Sequence, residues 1–234
     1  MKTKLLATLV GGAALALPSM ASAVTLQIDD FSEGVQNLVV FSSTSTAAPE
    51  VGPFASILGG YRELSAVFTK GAGAPGGLPA AVVVDAGGTN TLGISTPPEW
   101  TVVTTLTWDG PGTGSFAATD FTAFGDAIAV DVIFADLNGS TIEFDLTDSS
   151  NNTSTLTKVI NSPGLFSFSF VDFAGAADLT QISKVVMVIN GVNSFDGQFD
   201  IVGITTTVPE PMTAGLGLLS MGALGAFATR RRQA

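Results

Sequence analysis

Residues 127–137 read Ala-Ile-Ala-Val-Asp-Val-Ile-Phe-Ala-Asp-Leu, and residues 140–147 read Ser-Thr-Ile-Glu-Phe-Asp-Leu-Thr, with Asn138-Gly139 between them. In the first run Ile128, Val130, Val132 and Phe134 fall on one face and Asp131 on the other. In the second, Ile142, Phe144 and Leu146 alternate with Glu143, Asp145 and Thr147. A period of two describes a strand with one buried and one wet face. Asn-Gly between two such runs is a hairpin signal and predicts that they pair.

Outward from this stretch the same pattern continues. Phe166, Phe168 and Phe170 alternate with Ser167 and Ser169, and Ile182 to Val192 is apolar on both faces, as a central strand would be. Further predicted strands are Val24 to Ile28, Gln36 to Phe41, Arg62 to Thr69, Ala80 to Asp85, Leu92 to Ser95, Thr101 to Trp108, Ser154 to Ile160 and Gln198 to Thr206. Gly59-Gly60, Gly87-Gly88, Asp109-Gly110-Pro111-Gly112, Asn190-Gly191 and Asp196-Gly197 supply turns between them. Ser42 to Pro53 and Gly71 to Pro79 are rich in small, polar or Pro residues and read as surface loops. No stretch before Met212 has a helical period. About a dozen short strands in one domain predict an all-β fold, a single antiparallel β-sandwich of the jelly-roll kind.

The two ends read differently from the middle. Lys2 and Lys4 precede the apolar run Leu5 to Leu17, and Ala21-Ser22-Ala23 follows, so residues 1–23 have the form of a secretory signal peptide cut by signal peptidase after Ala23. At the other end Met212 to Ala228 is uncharged, and a helix over 212–228 would span about 25 Å, marginal for a bilayer core of about 30 Å. Arg230, Arg231 and Arg232 behind it would stay on the cytoplasmic side and leave the rest of the chain across the membrane. Residues 24–207, between these ends, form the predicted domain.

Within that middle the basic residues are Arg62, Lys70, Lys158 and Lys184, four against nineteen acids, a net charge of −15. Such a surface repels phosphate backbones and excludes nucleic acid as a partner. The chain has neither cysteine nor histidine. Its core must hold without disulfides, and the usual general base and the commonest zinc ligand are missing.

The order Val208-Pro209-Glu210-Pro211, short apolar helix, terminal Arg cluster resembles the PEP-CTERM sorting signal of Gram-negative bacteria. The resemblance implies that exosortase, a membrane-embedded transpeptidase-like enzyme, processes the chain near Val208 to Pro211, and that the product passes from the inner membrane to the cell surface or extracellular matrix. Ile28-Asp29-Asp30-Phe31-Ser32, Leu58-Gly59-Gly60-Tyr61-Arg62-Glu63-Leu64 and Phe199-Asp200-Ile201 resemble a pattern shared by many PEP-CTERM domain proteins. Those domains are similar to galactose-binding-like jelly rolls.

Three chemistries are open to the middle domain. In galactose-binding-like folds the terminal strands lie side by side, which would bring Asp29 or Asp30 near Asp196 and Asp200 as oxygen ligands for calcium. Tyr61, Trp100 and Trp108 are candidate stacking surfaces for a polysaccharide, although Trp108 is equally placed to close the edge of the core, the reading favoured here. Paired carboxylates of a glycoside hydrolase are the third. No Gly-x-Ser-x-Gly elbow is present, and a non-catalytic structural or adhesive role is expected.

Overall fold

The computed structural model describes residues 24–112, 114–136 and 139–206. The expected signal peptide, the Val208 to Pro211 motif, the 212–228 helix and the Arg cluster lie outside them. Fourteen strands follow in order: β1 (Val24–Asp29), β2 (Gln36–Val40), β3 (Thr44–Ala47), β4 (Glu63–Lys70), β5 (Ala80–Val84), β6 (Leu92–Ser95), β7 (Trp100–Trp108), β8 (Ala127–Ala135), β9 (Ser140–Asp148), β10 (Thr153–Ile160), β11 (Gly164–Ser169), β12 (Ala174–Gly175), β13 (Ile182–Gly191) and β14 (Asp196–Thr205). They form two seven-stranded antiparallel sheets. The first runs β11-β8-β14-β6-β5-β2, with β1 on β14; the second runs β12-β10-β9-β13-β7-β4-β3. This is the expected β-sandwich.

Alternation in the strands builds the core between the sheets. Ile128, Val130, Val132, Val82, Leu92, Ile94 and Phe199 face inward from the first sheet; Phe68, Leu106, Ile142, Phe144, Leu146 and Met187 face inward from the second. Phe144 of β9 meets Phe168 of β11 edge to face, centroids 4.9 Å apart, so one aromatic contact joins the sheets.

Three expectations are corrected. The Asn138-Gly139 hairpin does not form, because β8 pairs with β11 and β14 in the first sheet while β9 pairs with β10 and β13 in the second. The chain changes sheet there, and β9 turns instead into β10, with Thr147 opposite Thr153. Ser42 to Pro53 contains a strand, β3, because Thr44 to Ala47 lies against Ser65 to Phe68. Phe134 does not continue the inward face of β8: Val132 lies opposite Phe199 but Phe134 opposite Gln198, so Ile133 is an extra residue and Phe134 is turned outward.

The two motifs near the start of the domain meet in the core. Arg62 and Asp29 are both inaccessible to solvent, with Arg62 Nη1 donating to Asp29 Oδ2 at 2.7 Å. Asp29 Oδ2 also accepts from Trp108 Nε1 at 2.9 Å, and Oδ1 from the Phe31 amide at 2.8 Å. Arg62 Nε donates to Gln36 Oε1 at 2.9 Å, and Nη2 to the carbonyls of Glu33 and Gly34 at 3.0 and 2.5 Å. The guanidinium lies 5.7 Å from the centre of the Phe31 ring. Burial pushes the Asp29 carboxyl up, and Arg62 and Trp108 draw it back. The pair is thus satisfied on both sides, as a charge pair so deep must be.

A second carboxylate ties the β9–β10 turn. Asp148 Oδ1 accepts the amides of Ser150 and Asn152, and Oδ2 accepts the Asn152 side chain and the Asp178 amide, all at 2.8 to 3.0 Å. Led by the Asp178 amide, these donors favour the charged form and lower the carboxyl to about 2.

Arg62→Ala, which strands the Asp29 charge, is expected to cost about 3 to 5 kcal/mol in urea unfolding; a loss under about 1 kcal/mol would contradict the network's role. The folded-state pKa of Asp148 is depressed, so its stabilisation is present above about pH 4 and fades as pH falls towards 2. The gap in unfolding midpoint between the parent chain and Asp148→Asn is therefore expected to close over that interval; a gap constant from pH 6 to pH 2 would contradict it.

Candidate functional site

The sequence offers Tyr61, Trp100 and Trp108 as stacking aromatics, with Trp108 favoured instead as closing the edge of the core, which is where it lies. Trp100 and Trp108 are both 0% exposed and offer no stacking surface. Each begins or ends β7 with its ring on the inward face of the strand, and Trp108 is further held by its donation to Asp29. Tyr61, partly exposed, follows a 3-10 turn at Leu58–Gly60 and packs over Gly52.

The calcium set does not assemble. The terminal strands do lie together, β1 on β14, but Asp29 sits opposite Val202 and is consumed by Arg62. Asp30 is folded back on Ser32. Asp196 accepts the Thr96 amide near the start of β14, and Asp200 accepts the Ile201 amide. Among the described residues no three acidic, His or Cys side chains come together at a spacing that could hold a metal ion. Glu63 stands near Asp109 and Glu50; burial, then those two charges, push its carboxyl up, while Lys184 Nζ occupies Asp109 Oδ2 at 3.0 Å.

A surface that the sequence reading missed lies on the outer face of the first sheet. Along β6 the inward residues are Leu92 and Ile94, so Gly93 and Ser95 face out; along β5, Ala81 and Val83 do. The register sets Val83 and Gln198 on either side of Gly93, then Asn37 beyond Val83 and Phe134 beyond Gln198. The row Asn37, Val83, Gly93, Gln198, Phe134 crosses five strands, about 19 Å at the usual strand spacing of about 4.8 Å. A parallel row holds Val39, Ala81, Ser95 and Asp196.

Because the floor is glycine, alanine and serine, the sheet dips here. A shallow open depression of about 220 Å³ is lined by Ala81, Val83, Ala86, Gly93, Ile94 and Ser95. The bulge at Ile133 raises Ile133 and Phe134 at one end, 45% and 46% exposed. Gln198 is steadied by its Nε2 donating to Thr91 Oγ1 at 3.0 Å. A compensating bulge at Ile201, with φ at 22°, restores the register from Val202 onward, and between the two bulges Asp200 faces Asp131 on the same outer face. The result is a strip with an exposed aromatic ring at one end, amides at both ends and an apolar floor.

No protein-family model and no curated protein matches the chain. Among solved structures it is similar to an exo-beta-agarase (13% identity over 79% of this chain and 25% of that one, TM-score 0.40) and to PfGH50B (12% identity over 58% of this chain and 22% of that one, TM-score 0.39). It is also similar to the family 11 carbohydrate-binding module from Clostridium thermocellum, in complex with a beta-1,3-1,4-mixed-linked tetrasaccharide (13% identity over 79% of this chain and 98% of that one, TM-score 0.35). The chain spans a quarter or less of the length of the first two. At such scores the likeness carries nothing about ligands.

Since the four aspartates of the expected set point to different tasks, titration of the chain with calcium is expected to give no binding heat and no shift in thermal midpoint. A saturable rise in the midpoint would show that a site forms from residues the fold keeps apart.

Proposed function

We propose that the domain is a non-catalytic glycan-binding β-sandwich of an exported protein, laying a polysaccharide chain across the outer face of its first sheet. One observation carries this reading: the bulge at Ile133 turns Phe134 out of the core and stands it, exposed, beside a glycine-floored strip flanked by Gln198 and Asn37. A sugar presents an apolar face that stacks on an aromatic ring and hydroxyls that take amide hydrogen bonds. The depression is smaller and more open than the roughly 300 to 1,000 Å³ clefts that enclose small molecules, which suits a chain lying across strands rather than an engulfed ligand. Its length of about 19 Å accommodates several sugar rings.

Delivery is part of the same proposal and rests on the sequence. A signal peptide at residues 1–23 would export the chain, and the PEP-CTERM-like tail from Val208 would hold it at the membrane until an exosortase released it to the surface or matrix. The two-sheet order is read as a jelly roll of the galactose-binding-like kind, supported by the side-by-side terminal strands. An adhesive role follows naturally: a surface domain that grips extracellular polysaccharide fixes the cell to it.

The test is retardation in native gels cast with soluble neutral polysaccharides, a β-glucan, a galactan and a xylan. The parent chain is expected to be slowed by at least one of them, and Phe134→Ala to lose about ten-fold in affinity, the worth of one aromatic stack. Gly93→Val should abolish retardation while leaving the fold intact, because a Cβ there meets only the Val83 carbonyl at 3.8 Å. No retardation by any of the three, or variants that bind as the parent does, would refute the proposal.

A further inference from the structure

We infer that the open edge formed by β2 is where two copies of this chain join, strand to strand, about a two-fold axis. β2 pairs with β5 on one side only, and among the described residues no hydrogen bond reaches the backbone of Asn37 to Val40 from the other side. A free edge of this kind presents a row of donors and acceptors that a further strand can complete. Edge strands are normally guarded by a charge, a proline or a bulge. β2 has none of these: no charged residue occurs from Val35 to Pro49, and the β2–β5 register runs without interruption. Val35, Val39 and Phe41 are instead 63%, 47% and 61% exposed along it.

Electrostatics leave this edge as the place where a second copy can approach. With nineteen acids against four bases in residues 24–207, two copies repel wherever their carboxylates approach. On the outer face of the first sheet the acids are confined to β8 and β14, at Asp131, Asp196 and Asp200, while β2, β5 and β6 carry no charge. In a join of β2 to β2 the two β14 strands stand seven spacings apart, about 34 Å. That is well beyond the screening length of about 8 Å at physiological ionic strength. The sheet's two other edge strands are both marked by charge: β1 runs into Asp29 and Asp30, and at β11 Lys158 Nζ donates to the Ser167 carbonyl at 2.5 Å. Glu33, just before β2, is turned back onto Ser56 and does not guard the edge. β3, the uncharged edge of the second sheet, follows β2 after a three-residue corner, so the run from β2 through β3 carries no charge.

An antiparallel join of identical strands is self-complementary and closes after two copies, giving a dimer rather than a fibre. It would make one continuous sheet of the two first sheets and set their glycine-floored strips end to end. The inference stands without the glycan reading, since it draws only on pairing and charge.

The chain lacks cysteine, so a single introduced cysteine reports on contact without background. Asn37→Cys, Val39→Cys and Phe41→Cys, each in the full chain under mild oxidation, are expected to yield a disulfide-linked dimer in at least one case, with none from Leu165→Cys on β11. Light scattering of the full chain in mild detergent should give the mass of two copies, and Val39→Lys, at an exposed position, should halve it with the thermal midpoint kept within a few degrees. A parent chain of one-copy mass, a dimer untouched by Val39→Lys, or cross-linking as strong from Leu165→Cys would each overturn the inference.

Discussion

A guanidinium group sealed from water dictates how this sandwich closes. Arg62 precedes β4 in the second sheet, and its partner Asp29 ends β1 in the first; Trp108, which shares the carboxylate, ends β7 in the second, and Gln36 begins β2 in the first. The network therefore staples one sheet to the other through hydrogen bonds at 2.7 to 2.9 Å. A buried charge left with any donor unmet would cost several kcal/mol, so the chain from Asp29 to Gln36 wraps the arginine and offers two carbonyls as well as two side chains. Gly34 allows that wrap, with φ at 72° and Val51 within 2.7 Å of where a Cβ would stand.

Closing the sandwich at one end in this way leaves the outer face of the first sheet without structural duty. Its inward residues are the large aliphatic and aromatic ones, while outward it carries glycine, alanine and serine in the middle strands. Two bulges, at Ile133 and Ile201, shift β8 and β14 by one residue in opposite senses, so the strands return to register after Phe134 has been moved from core to surface. Leaving Phe134 46% exposed forgoes part of the roughly 1.5 to 3 kcal/mol that full burial would give. That sacrifice makes sense where the ring has a partner to meet.

How much of this was legible in the sequence depends on how local the cause is. Alternation such as Ile142, Phe144, Leu146 against Glu143, Asp145, Thr147 reports directly on one strand's two faces, and the strand positions and the two-sheet class followed from it. Asn138-Gly139 misled because a turn signal says that the chain reverses but not whether the next run stays in the same sheet. Phe134 misled because a single inserted residue inverts the parity of everything beyond it, and the insertion shows only in the pairing with Gln198. Trp108, favoured as core, is core; Trp100 read as a stacking surface, yet its even spacing with Val102, Thr104, Leu106 and Trp108 already put it on the same buried face. Asp29 read as a metal ligand because its acid neighbours were visible in the sequence and its arginine, 33 residues away, was not tied to it by any local pattern. What the stretches around Asp29 and Arg62 do became evident only as one ion pair.

Amide hydrogen exchange on the native protein tests most directly whether that ion pair is what pins the two sheets. The Phe31 amide donates to Asp29 in the sealed centre of the network, and it is expected to exchange only through global unfolding, at a rate that tracks denaturant as the amides of β13 do. Exchange of Phe31 by a local opening, insensitive to denaturant while β13 remains protected, would show that the sandwich stays closed without the network and would contradict the account.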